Sequence, residues 1–423
     1  HFMNRRTFIE KSVKASSLSF VSLSELQQSV NHRIKDQDLK KHKFDVIVLG
    51  VGSMGSSSCY QLSKKGYKVL GIEQFNLPHD KGSHSGQSRI IRKAYFEHPD
   101  YVPLLKKAYK NWDILQNESG QNIYHKTGLL YFGKSNSGLL KSVISSSELY
   151  DIPLKKLNHT EILSEYKQFS IPDNFKGLLE PDAGFLTPER AILTHVELAL
   201  KKGASIHLNE KVIDWIQKDG IIKVKTNKDK YYCKKLIITL GAWSKELIPN
   251  LKPKIITTQQ LISWVIPKKW DDFTLGKFPC WTIEEEESKG LFYGFPILES
   301  GQFGAPIGLK IAHHYPGKEI NPNKVHREID KNEEKTLTTF LNKFIPNGYS
   351  KTHVMKTCLY SNSPDSDFIV DFLDVNKNVI IGSGFSGHGF KFSSVIGEIL
   401  SDLAINGNTL LPIDFLRLDR FES

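Results

Sequence analysis

Apolar residues along this chain fall into short β-branched runs separated by stretches of helical period. Phe44–Leu49 (FDVIVL) is a compact apolar run ending on a glycine turn, the pattern of a buried strand. Ser56–Lys65 follows at helical spacing and stops at Gly66. Lys68–Glu73 (KVLGIE) is a second apolar run. Strand, turn, helix and strand in that order open a doubly wound sheet. The same patterns predict helices over Tyr101–Leu115 and Pro188–Lys201, and strands over Thr127–Gly133, Ala204–Leu208 and Tyr231–Leu240. From about Leu251 to Met355 the texture changes. Runs such as LISWVI, GLFYGF and GLKIAHH alternate with charged or Gly/Pro-rich turns, which reads as a largely antiparallel sheet. Near the end come a strand over Asn378–Ile381, a second glycine-rich turn over Gly382–Gly389, and a helix from about Phe392 to Leu403. The expected fold is an α/β composite: a Rossmann-like nucleotide-binding domain, interrupted in sequence, and a second domain on a mainly antiparallel sheet. The expected boundaries are 42–125, 186–247 and 358–419 for the first, and 126–185 and 248–357 for the second.

Composition removes several classes. A chain of 423 residues is too long for one simple core. Its 39% hydrophobic and 24% charged content is that of a globular protein and excludes disordered and collagen-like classes. The net charge of +11 could point to nucleic acid, but the lysines are scattered, with no dense basic block interleaved with aromatics. No nucleic-acid partner is expected. Cys59, Cys233, Cys280 and Cys358 are too few and too far apart for a disulfide framework or a CxxC metal site, and no metal is expected. No run of 18 apolar residues occurs, so no membrane span is expected. His1-Phe2 ahead of Met3 looks like a tag remnant. Arg5-Arg6 followed by Phe8 and a weakly apolar Ala15–Leu26 resembles a twin-arginine export signal. That route would lead to a bacterial periplasm. The serine-rich stretch without an A-x-A site leaves the cytoplasm as the other location. Residues 1–41 are therefore set apart as tag remnant, signal and linker.

The turn Gly50-Val51-Gly52-Ser53-Met54-Gly55 fits G-x-G-x-x-G. Gly50 permits the tight turn, Gly52 lets the backbone approach a pyrophosphate, and Gly55 lets helix and strand pack closely. The helix that follows points its free N–H groups and positive dipole end at the phosphates. Glu73, ending the next strand, suits ribose hydroxyls and disfavours a 2′-phosphate. This context reads as dinucleotide binding and leaves FAD and NAD both open. Downstream, Gly82–Arg92 (GSHSGQSRIIR) is polar and carries two arginines three apart. It is either a solvated loop or a cofactor loop with an arginine gripping a carboxylate in bidentate fashion.

Glu73–Tyr95 (EQFNLPHDKGSHSGQSRIIRKAY) and Gly382–Ser394 (GSGFSGHGFKFSS) closely resemble the monomeric sarcosine oxidase family, with its N-methyltryptophan and pipecolate oxidases. The resemblance runs from about Phe44 to about Leu403. It implies an FAD-dependent oxidase of secondary amino acids that reduces O2 to H2O2. Cys358, in MKTCLY, matches the segment that holds the flavin covalently through its 8α carbon. A lone cysteine is otherwise a small buried hydrophobe. Lys310 matches the lysine near flavin N5, whose cation stabilises charge developing on O2. Arg92 and Lys391 match the pair that holds the substrate carboxylate. Arg89 and His84 match groups beside the flavin, His388 and His314 the active-site histidines, and Tyr293 and Tyr360 the aromatics of the substrate cavity. Gln74, Ser88, Val212, Gly241, Trp243, Gly387 and Gly389 complete the implied cofactor contacts.

The partners so implied are a small amino-acid substrate and O2, with a monomer favoured by the family. A related flavin amine dehydrogenase passing electrons to a carrier is the alternative, against which Lys310 argues. A basic carrier that kept only the fold would not need Arg92, Lys310, Cys358 and Lys391 together. Two stretches depart from the family: Leu298–Pro306 (LESGQFGAP) lengthens the path from Tyr293 to Lys310, and Cys280–Lys289 contains the acidic run Glu284–Glu287. Both are expected to flank the substrate cavity, the acidic run as a solvated loop, and they leave the identity of the secondary amine open.

Overall fold

The run Lys43–Leu49 pairs in parallel with Val69–Ile72 on one side and Lys230–Ile238 on the other. Its side chains alternate between two cores. Val46 and Val48 join a cluster built with the helices, and Ile47 and Leu49 join one built with the strands Val212–Lys218 and Ile221–Thr226. Burial on both faces is why this segment reads as a continuous apolar run. Ser205–His207 and Val379–Ser383 extend the parallel sheet, and Ile369–Phe372 adds to it antiparallel. The computed structural model describes residues 21–37, 42–251, 253–285, 290–314, 317–325 and 331–421. Among these the first sheet has eight strands, drawn from three separate stretches of the chain.

A second sheet of nine strands comes from Leu129–Glu180 and Ile256–Asn362. It is antiparallel except where Cys280–Glu285 runs parallel to Leu129–Lys134. The helix Lys331–Phe344 covers one face, where Phe340 stacks on Phe292 at 3.8 Å between ring centres and on Trp281 at 5.8 Å. The opposite face carries Ile262, Trp264, Ala312, Cys358 and Tyr360. Strand register decides which side chains meet there. Lys310 pairs with Trp264 and Phe295, Ala312 with Ile262 and Tyr293, and Cys358 with Gln260. Because side chains alternate with period two, Lys310, Ala312 and His314 fall on one face of their strand.

Three expectations need correction. Residues 21–37 belong to the fold. Leu23–Lys35 is a helix closed by a capping box, with Ser22 accepting from the Glu25 amide and Glu25 from the Ser22 amide. Its Leu26 and Val30 are buried, and it packs on the helix Pro188–Lys201. The Arg5-Arg6 segment lies outside the described residues. Leu298–Pro306 does not reach the cavity. It forms a short helix, Ser300–Phe303, where the Gln302 carbonyl accepts from Arg190 at 3.1 Å and the Gly304 carbonyl accepts from Gln87. Of the acidic run, Glu285 is buried and paired with Lys343 at 2.7 Å instead of being solvated. Glu286 and Glu287 lie outside the described residues. No helix among the described residues is long and apolar enough to cross a membrane.

Candidate active site

One cleft is lined from both sheets, with an empty volume of about 1890 Å³ including its mouth. At one end lies the glycine turn. Gly50 has φ +83°, and a Cβ there would meet the Thr239 carbonyl oxygen at 2.6 Å. Gly52 caps the helix Ser53–Lys64 with no side chain bonded to its free amides, and the nearest atom to a Cβ on Gly52 is His84 Nδ1 at 3.9 Å. The turn is thus open on the side a phosphate would approach. Gly55 does not line the cleft. A Cβ on Gly55 would sit 1.8 Å from the Gly50 carbonyl oxygen, so its role is helix–strand packing. Gly55→Ala is expected to yield protein that is insoluble or devoid of bound flavin, checked by yield and visible absorbance. Backbone would have to move to relieve that overlap, and overpacking typically costs about 1–3 kcal/mol or more.

Next along the cleft, Glu73 accepts from the Val51 amide at 2.9 Å and the Phe75 amide at 3.0 Å. Burial lifts its carboxyl to about 7 against these amides. Gln74, Val212, Gly241 and Trp243 line the same stretch. His79, which no sequence motif singles out, sits there too. Its ring packs on His84 at 4.9 Å and on Phe75 at 5.0 Å, and burial pushes it down to about 3. His84 is held down to about 4 by burial and by Arg89. Its Nε2 is buried with no partner among the described residues.

The middle of the cleft joins the loop 83–88 to the second sheet. Arg89 donates to the carbonyls of Ser83, Ser85 and Ser88 at 2.8, 2.6 and 2.8 Å and lies 3.6 Å from Cys358 Sγ. All four cysteines are free and buried, but Cys358 alone lines the cleft. Burial pushes the thiols of Cys59, Cys233 and Cys280 up to about 12. Lys310 and Ser88 are not on the cleft wall. Lys310 Nζ lies behind the loop and donates to the Gly86 carbonyl at 2.6 Å, the Ser88 carbonyl at 2.8 Å and Ser88 Oγ at 3.1 Å. Burial, then Arg89, press its ammonium well below the ordinary lysine range.

The far end holds Arg92, Lys391, His388, His314, Tyr293 and Tyr360, with Gly387 and Gly389 beside them. A Cβ on Gly387 would meet the Tyr360 ring at 2.3 Å, so glycine lets that ring lie flat on the turn. His388 Nε2 donates to the Ser366 carbonyl at 3.0 Å, which makes Nδ1 the acceptor from the Tyr95 hydroxyl at 2.5 Å. Burial holds this imidazole down at about 4. His314 Nδ1 bonds the Tyr360 hydroxyl at 3.1 Å, and burial lowers it as well. Lys391 donates to the His388 carbonyl at 2.7 Å; burial, then Arg92, bring it down to about 7.

Arg92 already holds a carboxylate, and it is the protein's own. Its Nη2 donates to Glu97 Oε1 at 2.8 Å and Oε2 at 2.5 Å, with Tyr95 and Phe96 on its guanidinium at 4.2 and 3.8 Å. Burial would raise the Glu97 carboxyl, but Arg92, His388 and Lys391 outweigh it and hold it at about 2. Glu97, Phe96 and Thr282 all line the cleft and were missed from sequence. Glu97 stands five residues after Arg92, and that arginine–carboxylate spacing was the available signal.

Residues 45–403 match the family model described as FAD dependent oxidoreductase. The chain belongs to that family. It is 35% identical over 382 residues to the monomeric sarcosine oxidase of Bacillus sp. (strain B-0618), spanning 89% of this chain and 96% of that one. It is 33% identical over 381 residues to the N-methyl-L-tryptophan oxidase of Yersinia pestis (strain Pestoides F), spanning 89% and 99%. Among solved structures, the open form of NikD, an amino acid oxidase of nikkomycin biosynthesis, superposes with a TM-score of 0.79 at 21% identity, covering 89% and 98%. The L-proline dehydrogenase of P. horikoshii gives 0.76 at 22%, covering 90% and 98%. These two show the shared fold.

The cleft fits FAD on its own geometry. It has an uncapped helix end at a glycine turn, a carboxylate at the end of the second strand, and a buried orphan imidazole nitrogen at His84. Among the described residues no group of His, Cys, Asp and Glu could hold a metal ion.

Proposed function

We propose that this protein oxidises secondary amino acids, N-methyl or cyclic, to imines and reduces O2 to H2O2. The observation that carries the reading is the paired cationic end of the cleft, Arg92 and Lys391, adjoining the Cys358–Arg89 stretch. The glycine turn, Glu73, His84 and Arg89 would hold FAD, which would supply a two-electron acceptor for the substrate's C–N unit and a donor to O2. The substrate loses two electrons and two protons to become an imine, O2 gains both, and water hydrolyses the imine.

The remaining work falls to the chain. Arg92 and Lys391 hold the substrate carboxylate, and the carboxylate displaces Glu97 to reach the guanidinium. Arg89 and Arg92, joined by Lys310 and Lys391 in their protonated forms, disfavour a further ammonium, so the bound amine sheds its proton before oxidation. Tyr293, Tyr360 and Phe96 exclude water and set the cavity's width. His388, its tautomer fixed between Tyr95 and Ser366, stays neutral and keeps Lys391 placed through its carbonyl. The test is anaerobic. A secondary amino acid should bleach the bound flavin within seconds, while its decarboxylated amine should do so ~100-fold more slowly or not at all. Equal rates would remove the carboxylate clamp.

Cys358 is proposed to carry the flavin as a thioether. Forming that bond would cost the thiol its S–H hydrogen and the ring's methyl one hydrogen, a two-electron oxidation for which O2 would be the acceptor. In acid precipitate the colour should stay with the parent polypeptide and move to the supernatant for Cys358→Ser. Colour lost from the parent as well would end the tethering reading.

Lys391 sets a pH limit. With its ammonium brought to about 7, it is charged below that pH and neutral above it. Binding of a simple carboxylate inhibitor such as propionate should therefore weaken as pH rises through about 7. The expected slope is at most tenfold in Kd per pH unit. A Kd flat from pH 6 to 9 would remove Lys391 from the clamp.

A further inference from the structure

Glu189 lies in the first turn of the helix Pro188–Lys201, outside the cleft wall. Its Oε1 accepts from the amides of Gly86 at 2.7 Å and Gln87 at 3.3 Å. Both residues have positive φ, 114° and 65°. For a side-chain-bearing residue such as Gln87 that conformation costs ~1 kcal/mol, so something must hold it. Successive amides turned onto one carboxylate form a concave anion site, here filled by the protein's own anion.

The same turn aims its carbonyls the other way. The Gly86 and Ser88 carbonyls both accept from Lys310 Nζ. One peptide unit, Gly86–Gln87, therefore has its N–H on the Glu189 carboxylate and its C=O on the Lys310 ammonium. Its dipole runs from anion to cation, and hydrogen bonds in such a chain polarise one another. The direct hydrogen-bond partners of Lys310 are all neutral, and the ring of Phe295 lies 4.5 Å from Nζ. Of the charged and titratable groups facing it, Arg89 opposes the ammonium, while Glu189, then Cys358 and Cys280, favour it. The Gln87 side chain locks the turn, accepting from Trp264 Nε1 at 2.9 Å and donating to the Gly304 carbonyl.

We propose that Glu189 is a positioning residue for Lys310: through the Gly86–Gln87 peptide it fixes the ammonium and keeps it charged. The inference rests on the reading that the Lys310 cation promotes reaction with O2.

The test follows reoxidation of reduced holoenzyme by O2 against pH in the parent, Glu189→Gln, Glu189→Asp and Lys310→Met. Gln can still accept from both amides but carries no charge. Losing that charge should let Lys310 shed its proton at lower pH. Reoxidation by Glu189→Gln should then fall ~10-fold at pH 8 and recover at lower pH, a shift of about one unit in the profile. Glu189→Asp keeps the charge and should track the parent profile. The flavin midpoint potential of Glu189→Gln at pH 8 should also drop, because a cation near the ring favours added electrons. In the Lys310→Met background, Glu189→Gln should add nothing further.

A profile and potential unmoved in Glu189→Gln, with Lys310→Met slow, would overturn this inference alone. A further loss in the double variant would do the same, because the effect would not pass through Lys310. Parent-rate reoxidation in Lys310→Met would overturn the O2 reading and this inference together.

Discussion

Arg92→Met is expected to lower kcat/KM for a secondary amino acid by ~10³-fold. The guanidinium is buried, flanked by Tyr95 and Phe96, and bonded to a carboxylate. Truncating one member of a buried, hydrogen-bonded charge pair costs about 2–5 kcal/mol, which brackets that loss. The substrate carboxylate would meet Lys391 alone, and the reacting C–H would no longer be fixed. Two effects act together, since the variant also leaves the partly buried Glu97 without its cation. The Glu97 carboxyl, held at about 2 by the surrounding cations, would then rise. Steady-state kinetics separate the two contributions. Loss of the clamp raises KM and lowers kcat for carboxylate substrates only, whereas collapse around Glu97 lowers activity on every amine and also the thermal midpoint. A variant within threefold of the parent on a secondary amino acid would show that the substrate is held elsewhere.

Lys310→Met is expected to slow reoxidation of the reduced flavin by O2 by ~10²–10³-fold, leaving reduction by substrate within about threefold of the parent. A preorganised cation in a water-excluded site acts strongly on charge that develops during reaction, and here the cation is fully enclosed. Met matches the length of the lysine stem and keeps the packing against Phe295 and Trp264. The variant removes one of the two donors on each of the Gly86 and Ser88 carbonyls, which keep the Ser88 amide and Arg89, a stability cost of about 1 kcal/mol that a thermal melt would register. Stopped-flow mixing with oxygenated buffer reads the rate directly. The parent rate should itself fall as pH rises, because burial depresses the ammonium and the charge is present only below its lowered pKa.

Local features were the legible ones. The glycine turn, Glu73 and the apolar strand before them follow from spacing within about 30 residues, where backbone geometry and periodicity act directly. Pro188–Lys201 was placed end to end because its proline start and helical period agree. Features set by approach of distant segments were hidden. Ser88 is implied by the resemblance as a cofactor contact, whereas the strand Leu309–His314 brings Lys310 onto its carbonyl and hydroxyl, off the cleft wall. Glu97 reads as surface charge until Arg92 folds back on it. The helix Leu23–Lys35 had a local signal in Ser22 and Glu25, but it was set aside with the neighbouring export-like segment. Leu298–Pro306 drew attention as an insertion near the cavity. Its carbonyls at Gln302 and Gly304 instead bond Arg190 and Gln87, a placement that only the tertiary fold specifies.

Peroxide release in air from a panel of N-methyl and cyclic amino acids is the most direct test of the proposed chemistry. At least one of sarcosine, N-methyltryptophan and pipecolate, or a close relative of them, should give one H2O2 per O2 consumed, and the same compound should bleach the flavin without air. Bleaching by such a compound with reoxidation only by an added electron carrier, and no peroxide, would contradict the oxidase assignment.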